Sequence, residues 1–394
     1  MNSMTTVEEV GTSSLNVPVL LMARELGWGG IERDVSKYAR HLSRYGIQPH
    51  VACFRPGGIR WCEIESAGVP VIEVPIRSFK SRDVLVNAKM LKTYIREHRI
   101  QVLHTFDNAT NLFGALLTRI LDVPIFLSSQ LCYRELFSFN TRLLLALTDR
   151  LATGLFVNCQ AVADYLISNW RVPAQRIRVC HNGFEEEEFH PEDRTRPEML
   201  TDASVVIGTV AVLREEKGLM TLVDAFAQVR RIDPRARLLI VGDGPMKPAL
   251  AGRTRDLGIE EACFFENATR TPANWMRAID LFVLPSRSEA FPNALLESMA
   301  CGCCPVASRI GGIPELIHHG QNGVLFESGN AQELAEVLCS LANDRLKRQT
   351  LAHAATLFAH EHLTIDRAAA RLASIYKDLL FRRGRRERER RCRV

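Results

Sequence analysis

The sequence predicts two doubly wound α/β domains, one after the other along the chain. Three observations predict it. At 394 residues the chain is about two to three times a usual domain length. Short apolar runs alternate with longer amphipathic stretches, as βα units do. The alternation fails once, between Glu185 and Asp202, and then restarts. A composition of 46% apolar and 24% charged residues matches a soluble globular protein and excludes intrinsic disorder.

The elements follow in order. Residues 1–16 are polar and expected to be disordered. Val17–Met22 reads as the first strand. Its apolar run ends at Arg24 and Glu25 and is preceded by Glu8 and Glu9, which suits a strand rather than a secretory leader. Ile31–Tyr45 reads as a helix, with Val35, Tyr38, Ala39 and Leu42 at helical spacing. Pro49–Phe54, Val69–Val74, Val102–Thr105, Pro124–Ser128, Leu155–Asn158 and Ile177–Cys180 read as further strands. Several are apolar throughout, as in a parallel sheet covered on both faces. Residues 17–190 thus form a first domain. Leu143–Val157 is the nearest approach to a membrane span, but Asp149 and Arg150 break it well short of the roughly 20 apolar residues required.

Residues 191–202, which follow the run Glu185–Glu188 and contain Pro191 and Pro197, are expected to be a linker. The second domain, 203–360, has strands at Val205–Val210, Arg237–Val241, Cys263–Phe265, Leu281–Pro285, Pro305–Ser308 and Gly323–Phe326, with Leu219–Arg230 as a helix. The region from Gln332 to Leu380 reads as helix, and 361–381 is expected to pack back towards the first domain. A basic tail, 382–394, holds eight Arg and two Glu, so the formal charge of +5 hides a body that is close to neutral. That balance excludes a globally basic nucleic-acid binder and leaves the tail either solvated or drawn to anionic membrane. The eleven Cys are an odd count scattered through apolar segments, which fits reduced thiols in a cytoplasmic protein. Cys301-Gly302-Cys303-Cys304 has no second Cys or His pair at zinc spacing, so no metal is expected.

In an open parallel sheet, ligands bind beyond the carboxyl ends of the strands. Five loops there are notable. Gly27-Trp28-Gly29-Gly30 could bring backbone N–H groups to an anion at a helix start, or be a plain turn. Leu213–Gly218 offers Arg214 and Lys217 to a diphosphate, or a solvated turn. Gly242-Asp243-Gly244-Pro245 is either a ligand loop or a capped turn. Pro285–Ala300 places Glu289 in a loop and Glu297 about one and a half turns into an apolar helix. A carboxylate there must be paired or hydrogen-bonded, and it can accept both hydroxyls of a ribose. Ile310–Ile317 is a further anion-tolerant turn. His104 follows a strand and could face the cleft; His181 precedes the turn pair Asn182-Gly183.

In this order the pieces resemble the family 4 retaining glycosyltransferases of the GT-B fold, over about residues 17–380. Glu289 and Glu297, within Ser286-Arg-Ser-Glu-Ala-Phe-Pro-Asn-Ala-Leu-Leu-Glu, are similar to the family's E-x7-E motif. Gly29-Gly30-Ile31-Glu32-Arg33 resembles its glycine-rich loop, and Asn182-Gly183 its step into the second domain. Lys217-Gly218, Gly242–Pro245 and Gly311–Glu315 fall at the expected places.

The resemblance implies two Rossmann-like domains facing a central cleft, and a UDP- or GDP-sugar donor held mainly by the second. Arg214 and Lys217 would hold the diphosphate, helped by Gly29 and Gly30, with Gly242 also at the donor. Glu297 would take the ribose hydroxyls. Glu289 would contact the transferred sugar, near the backbone of Ala290, Phe291, Pro292 and Asn293. A glycan or lipid-linked acceptor would lie against the first domain, with His104 or Gln130 near the sugar. Transfer would need neither metal nor cofactor and would proceed by front-face attack. Two departures stand out. Val212 occupies the position where many members carry the diphosphate Arg. Ser128-Ser129-Gln130-Leu131-Cys132 lacks a His that many members carry. The same fold also serves sugar-nucleotide epimerases, phosphorylases and noncatalytic nucleotide-sugar-binding scaffolds. A nicotinamide oxidoreductase would want the G-x-G-x-x-G that is missing here.

Overall fold

The computed structural model describes residues 16–392 except 80, 82 and 193. All of the expected N-terminal disordered segment but Asn16 lies outside the described residues.

The first sheet has seven parallel strands: β1 Val17–Ala23, β2 Ile47–Cys53, β3 Val71–Glu73, β4 Val102–Thr105, β5 Ile125–Ser129, β6 Gly154–Val157 and β7 Ile177–Val179. Their order is β3-β2-β1-β4-β5-β6-β7. The connecting helices are α1 Gly30–His41, α2 Ile59–Ser66, α3 Asp83–Glu97, α4 Asn108–Leu121, α5 Phe139–Leu151 and α6 Gln160–Trp170. The second sheet has six: β8 Val206–Val210, β9 Arg237–Val241, β10 Cys263–Glu266, β11 Leu281–Leu284, β12 Cys304–Ser308 and β13 Val324–Phe326, in the order β10-β9-β8-β11-β12-β13. Its helices are α7 Leu219–Ile232, α8 Lys247–Asp256, α9 Pro272–Ala278, α10 Asn293–Ala300, α11 Ile313–Leu316, α12 Ala331–Asn343 and α13 Arg345–His362. Both sheets reverse direction of growth beside their first strand, between β1 and β4 and between β8 and β11. Those switch points open the crevice where ligands bind. This is the GT-B fold.

The strands are apolar on both faces because helices cover both. Leu20 and Met22 pack with Leu91, Phe113 and Leu117 on one side. Val19 and Leu21 pack with Tyr38, Leu42 and residues of α14 Ile365–Arg391 on the other. The helix α14 thus leaves the second domain and completes the core of the first, burying Ala369, Leu372, Ala373 and Tyr376 there.

The chain crosses between the domains at Asn182–Phe184, at the Asn182-Gly183 step that the resemblance implies and ahead of the 191–202 segment expected as a linker. Phe184 N–H donates to Leu363 O at 3.0 Å and Ile365 N–H donates to Phe184 O at 2.7 Å, so outgoing and returning strands of the chain lie side by side. A Cβ on Gly183 would sit 2.5 Å from Thr364 O, so this close approach requires glycine. Residues 191–202 already lie on the second domain, pinned by Arg194 to Arg277 O and Ile279 O and by Arg196 to Asp280 at 2.6 Å. One expectation is corrected: the basic segment is not a separate tail beyond the last helix. It continues α14 to Arg391, with i, i+4 pairs Arg382–Asp378, Arg383–Glu387 and Arg385–Glu389, each at 2.8 Å. Residues 393 and 394 lie outside the described residues.

Candidate active site

A cavity of about 360 Å³ lies between the carboxyl ends of the two sheets. That is the size of a small-molecule site. From the first domain it is lined by Trp28, Gly29, Gly30, Arg33, Asp34, Arg60, Leu131, Asn158 and Asn182. From the second come Val212, Lys217, Gly242, Asp243, Arg270, the run Glu289–Ala294 and Glu297. Four cations and four carboxylates therefore face one space.

Lys217 ends the turn between β8 and α7. Its Nζ donates to Glu289 Oε1 at 2.5 Å, and Ser286 Oγ donates to the same oxygen at 2.9 Å. The loop bearing Glu289 is braced from behind. Gly311 has φ of +50°, and a Cβ there would lie 1.8 Å from Glu289 O. The neighbouring Gly312 N–H donates to Ala290 O at 2.9 Å. The Gly311-Gly312 pair thus serves as a backbone support rather than as an anion loop.

Glu297 is 2% exposed on α10. Arg33 Nη1, from α1 of the other domain, donates to its Oε2 at 3.0 Å. Its Oε1 is buried and meets no donor among the described residues. Burial raises the carboxyl above its ordinary range, against the pull of Arg33 and Lys37. A buried carboxylate oxygen with unused lone pairs, lining a cavity, fits a ligand hydroxyl.

Other side chains of the same stretch also bridge the domains. Asn293 Nδ2 donates to Asp34 Oδ1 at 3.0 Å, and Asn182 Nδ2 donates to Asn293 Oδ1 at 3.1 Å. Phe291 stacks on His181, with ring centroids 4.8 Å apart. Ala290 and Pro292 line the cavity beside it. Gly29 caps α1 and Gly30 begins it, so the helix start faces the cavity. Gly242 also lines it, but its N–H is already bonded to Glu266 O at 2.9 Å.

Three expected residues are elsewhere. Arg214 is not among the lining residues; its side chain is 61% exposed beside Glu216. Val212 lines the cavity in its place. His104 is wholly buried. The alternation of β4 sends it towards α14, where its Nδ1 and Nε2 meet Tyr376 Oη at 2.6 Å and Ser129 Oγ at 2.8 Å. Burial pushes it down to about 3, so it is neutral and structural. Gln130 is 3% exposed and donates to Asp149, the partner of fully buried Arg134. Of the two acceptor-side candidates, neither lines the cavity.

Among the residues that sequence reasoning left without a role are Arg60 and Arg270, which line the cavity, and Arg33, Asp34 and Lys37 on α1. Lys37 is 1% exposed, pairs with Asp34 at 2.8 Å and donates to Gly183 O at 2.6 Å. Charges on the inward face of an amphipathic helix were the available signal. The Cys301–Cys304 thiols are buried, with Cys301 and Cys304 raised by burial to about 12. Among the described residues, no group of three or more His, Cys, Asp or Glu is placed to hold a metal ion.

The fold and the cleft define the chain as one of the GT-B class. Residues 28–188 match Glycosyltransferase Family 4, and residues 204–344 match Glycosyl transferases group 1. Between them the two matches take in most of the chain, which belongs to the family 4 glycosyltransferases. The chain is 29% identical over 212 residues to N-acetyl-alpha-D-glucosaminyl L-malate synthase of Bacillus anthracis, covering 53% of this chain and 55% of that one. It is 30% identical over 246 residues to D-inositol 3-phosphate glycosyltransferase of Thermobispora bispora, covering 59% and 57%. It thus spans just over half the length of these curated relatives. Among solved structures, Anabaena HepE in complex with UDP and glucose superposes with a TM-score of 0.80 at 23% identity, over 92% of this chain and all of that one. Sucrose-phosphate synthase from Thermosynechococcus elongatus superposes at 0.78 with 17% identity, over 92% and 99%.

Proposed function

We propose that this protein transfers a glycosyl unit, with retention, from a UDP- or GDP-sugar to a glycan or lipid-linked acceptor. The observation that carries the reading is the convergence on one interdomain cavity of the Lys217–Glu289 pair and of the buried, half-used carboxylate of Glu297. Glu297 Oε1 receives a ribose hydroxyl. Lys217, held towards the cavity by Glu289, offsets the charge that develops on the departing diphosphate. The start of α1 at Gly29 and Gly30 adds N–H groups and the positive end of a helix. Glu289 then stands next to both diphosphate and sugar. The leaving diphosphate takes the acceptor proton as the new bond forms on the same face. Arg33, Arg60 and Arg270 are the other cations in reach, and they replace the Arg214 expected there.

UDP is the first donor base to try, because HepE was solved with UDP and glucose. The test is calorimetric titration with UDP and GDP without added metal, followed by turnover of a UDP-sugar. Binding of neither nucleotide at millimolar concentration rejects the reading.

A further inference from the structure

Asn158 lines the interdomain cavity and has no part in the donor site as described so far. It is the first residue beyond β6, at the carboxyl end of that strand. It is 4% exposed, and its Oδ1 is buried and meets no donor among the described residues. Among the described residues with a buried side-chain acceptor that lacks a partner, only Glu297 and Asn158 line the cavity. A buried amide oxygen of this kind destabilises the fold unless a ligand supplies the missing bond. A ligand hydroxyl supplies it, and the Nδ2 of the same amide can donate in return.

We propose that Asn158 binds a hydroxyl of the transferred sugar, and that this sugar is an uncharged, hydroxyl-bearing pyranose; the proposal rests on the donor reading above. Placement selects the sugar. The turn that carries Asn158 is docked on the second domain: Glu315 accepts from the N–H groups of Gln160 and Ala161, each at 2.9 Å. Cys159, next to Asn158, packs on Gly312, where a Cβ would lie 2.8 Å from Cys159 Cβ. The N–H of Gly312 donates to Ala290 O, and Gly311 backs the carbonyl of Glu289. Asn158 and the loop Glu289–Phe291 are therefore fixed to one brace, the segment Gly311–Glu315. Asn158 meets from the first domain the sugar that Glu289 meets from the second.

Charge separates this end of the cavity from the phosphate end. Leu131, Asn158 and Asn182 line it from the segments just beyond β5, β6 and β7, and none is charged. The first-domain cations of the cavity, Arg33 and Arg60, come instead from α1 and α2. Lys217 is already paired with Glu289. Neutral hydroxyls thus suit this end better than the carboxylate of an acidic sugar, which would lose water there and gain no free cation. Asn182 is occupied, since its Nδ2 donates to Asn293 Oδ1 at 3.1 Å. Gln130, expected near the sugar, is turned to Asp149. Asn158 is the polar side chain left at this end to receive a hydroxyl.

The experiment is calorimetric titration of the full chain, Asn158→Leu and Asn158→Ala with UDP, UDP-glucose, UDP-galactose, UDP-N-acetylglucosamine and UDP-glucuronic acid. If only GDP binds, GDP and GDP-mannose take the place of UDP and its neutral sugars. Leu keeps the volume and removes the amide; Ala is the second variant in case Leu disturbs the turn. Both variants are expected to bind UDP as the unaltered chain does, and to bind the UDP-sugar which that chain prefers about 3- to 10-fold more weakly. Without ligand, Asn158→Leu is expected to melt at the same temperature or higher, because it removes a buried acceptor that has no partner. An equal loss for UDP and for the UDP-sugar puts the effect at the nucleotide or in the turn and overturns the proposal. So does an unchanged UDP-sugar affinity in both variants, which leaves Asn158 to the acceptor or to solvent. Tighter binding of UDP-glucuronic acid than of the neutral donors overturns the uncharged class. Failure of the unaltered chain to bind UDP or GDP rejects the donor reading and this proposal with it, whereas the other outcomes leave the donor reading standing.

Discussion

Replacing Glu297 by Gln isolates one part of the site. The change keeps the side chain's volume and removes its charge. In the parent, Oε2 is bonded to Arg33 and Oε1 is a buried acceptor with no donor among the described residues, on a side chain that lines the cavity. A hydrogen bond to a charged group contributes about 1.5–3 kcal/mol. Losing it from the ribose should weaken UDP by about 10- to 150-fold. The effect on folding should be much smaller, because two contributions oppose. The Arg33–Glu297 attraction across the domains is lost, but Arg33 keeps Glu188 at 3.4 Å and the Gln carbonyl can still accept. Against that, the variant no longer buries a carboxylate whose ionised form its surroundings disfavour. Calorimetric titration with UDP reads affinity, and thermal melting of the same sample reads stability. A dissociation constant within twofold of the parent, with the fold intact, would refute the assignment of Glu297 to the ribose.

Other outcomes follow from the same geometry. Lys217→Met should lower turnover by about a hundredfold or more while the Ser286–Glu289 bond persists, as read by steady-state rates with a UDP-sugar; unchanged rates would remove Lys217 from the diphosphate. His104→Gln should leave UDP affinity unchanged. Its folded value of about 3 lies below the ordinary 6.5, so the unfolded chain binds more protons in that window, and stability falls as pH drops below about 6.5, by up to ~1.4 kcal/mol per pH unit. The variant should lose that slope in urea melts; a donor-binding defect would restore His104 to the cleft. Glu315 shifts in the same direction for a different reason. Burial would raise its carboxyl, but hydrogen bonds from His181 and from the N–H groups of Gln160 and Ala161 outweigh that and hold it low. Its stabilisation is present above the unfolded value near 4.5 and is lost as pH falls through the lower folded value. Glu315→Gln should therefore melt earlier at about pH 7 and converge with the parent at about pH 3; equal melts at neutral pH would discard this clamp.

The sheets were legible because parallel strands covered on both faces are short, apolar and bounded by Gly, Pro or charge. The loop from Ser286 to Glu297 was legible because a carboxylate on an apolar helix needs a partner. Three features were hidden for distinct reasons. His104 follows a strand in sequence, but the two-residue period of β4 decides which face it takes, and the helix that receives it, α14, comes more than 250 residues later. The Arg-rich end looked like a solvated tail because its helix rests on i, i+4 pairs with Asp378, Glu387 and Glu389 rather than on an apolar stripe. Arg33, Asp34 and Lys37 sit on a helix whose apolar spacing is clear, yet their partners Glu297, Asn293 and Gly183 belong to other elements. Only the folded chain brings these together.

Those partners also bind the donor-site residues to the closure of the cleft. Glu297, Asn293 and Phe291 line the cavity, and each touches the first domain, through Arg33, through Asp34 and Asn182, and through His181. The side chains proposed for the nucleotide are thus among those that hold the two sheets face to face. A donor whose ribose engages Glu297 shares that carboxylate with Arg33, so it bears on the interdomain contact as it binds. On the proposed reading, domain closure and donor binding draw on one set of side chains, which would couple the energy of one to the other. Glu315 stands apart from this set: it caps α6 from the second domain through Gln160 and Ala161 and does not line the cavity. On that reading, the cleft has one clamp at its edge that the donor does not touch and a second at its centre that the donor would engage.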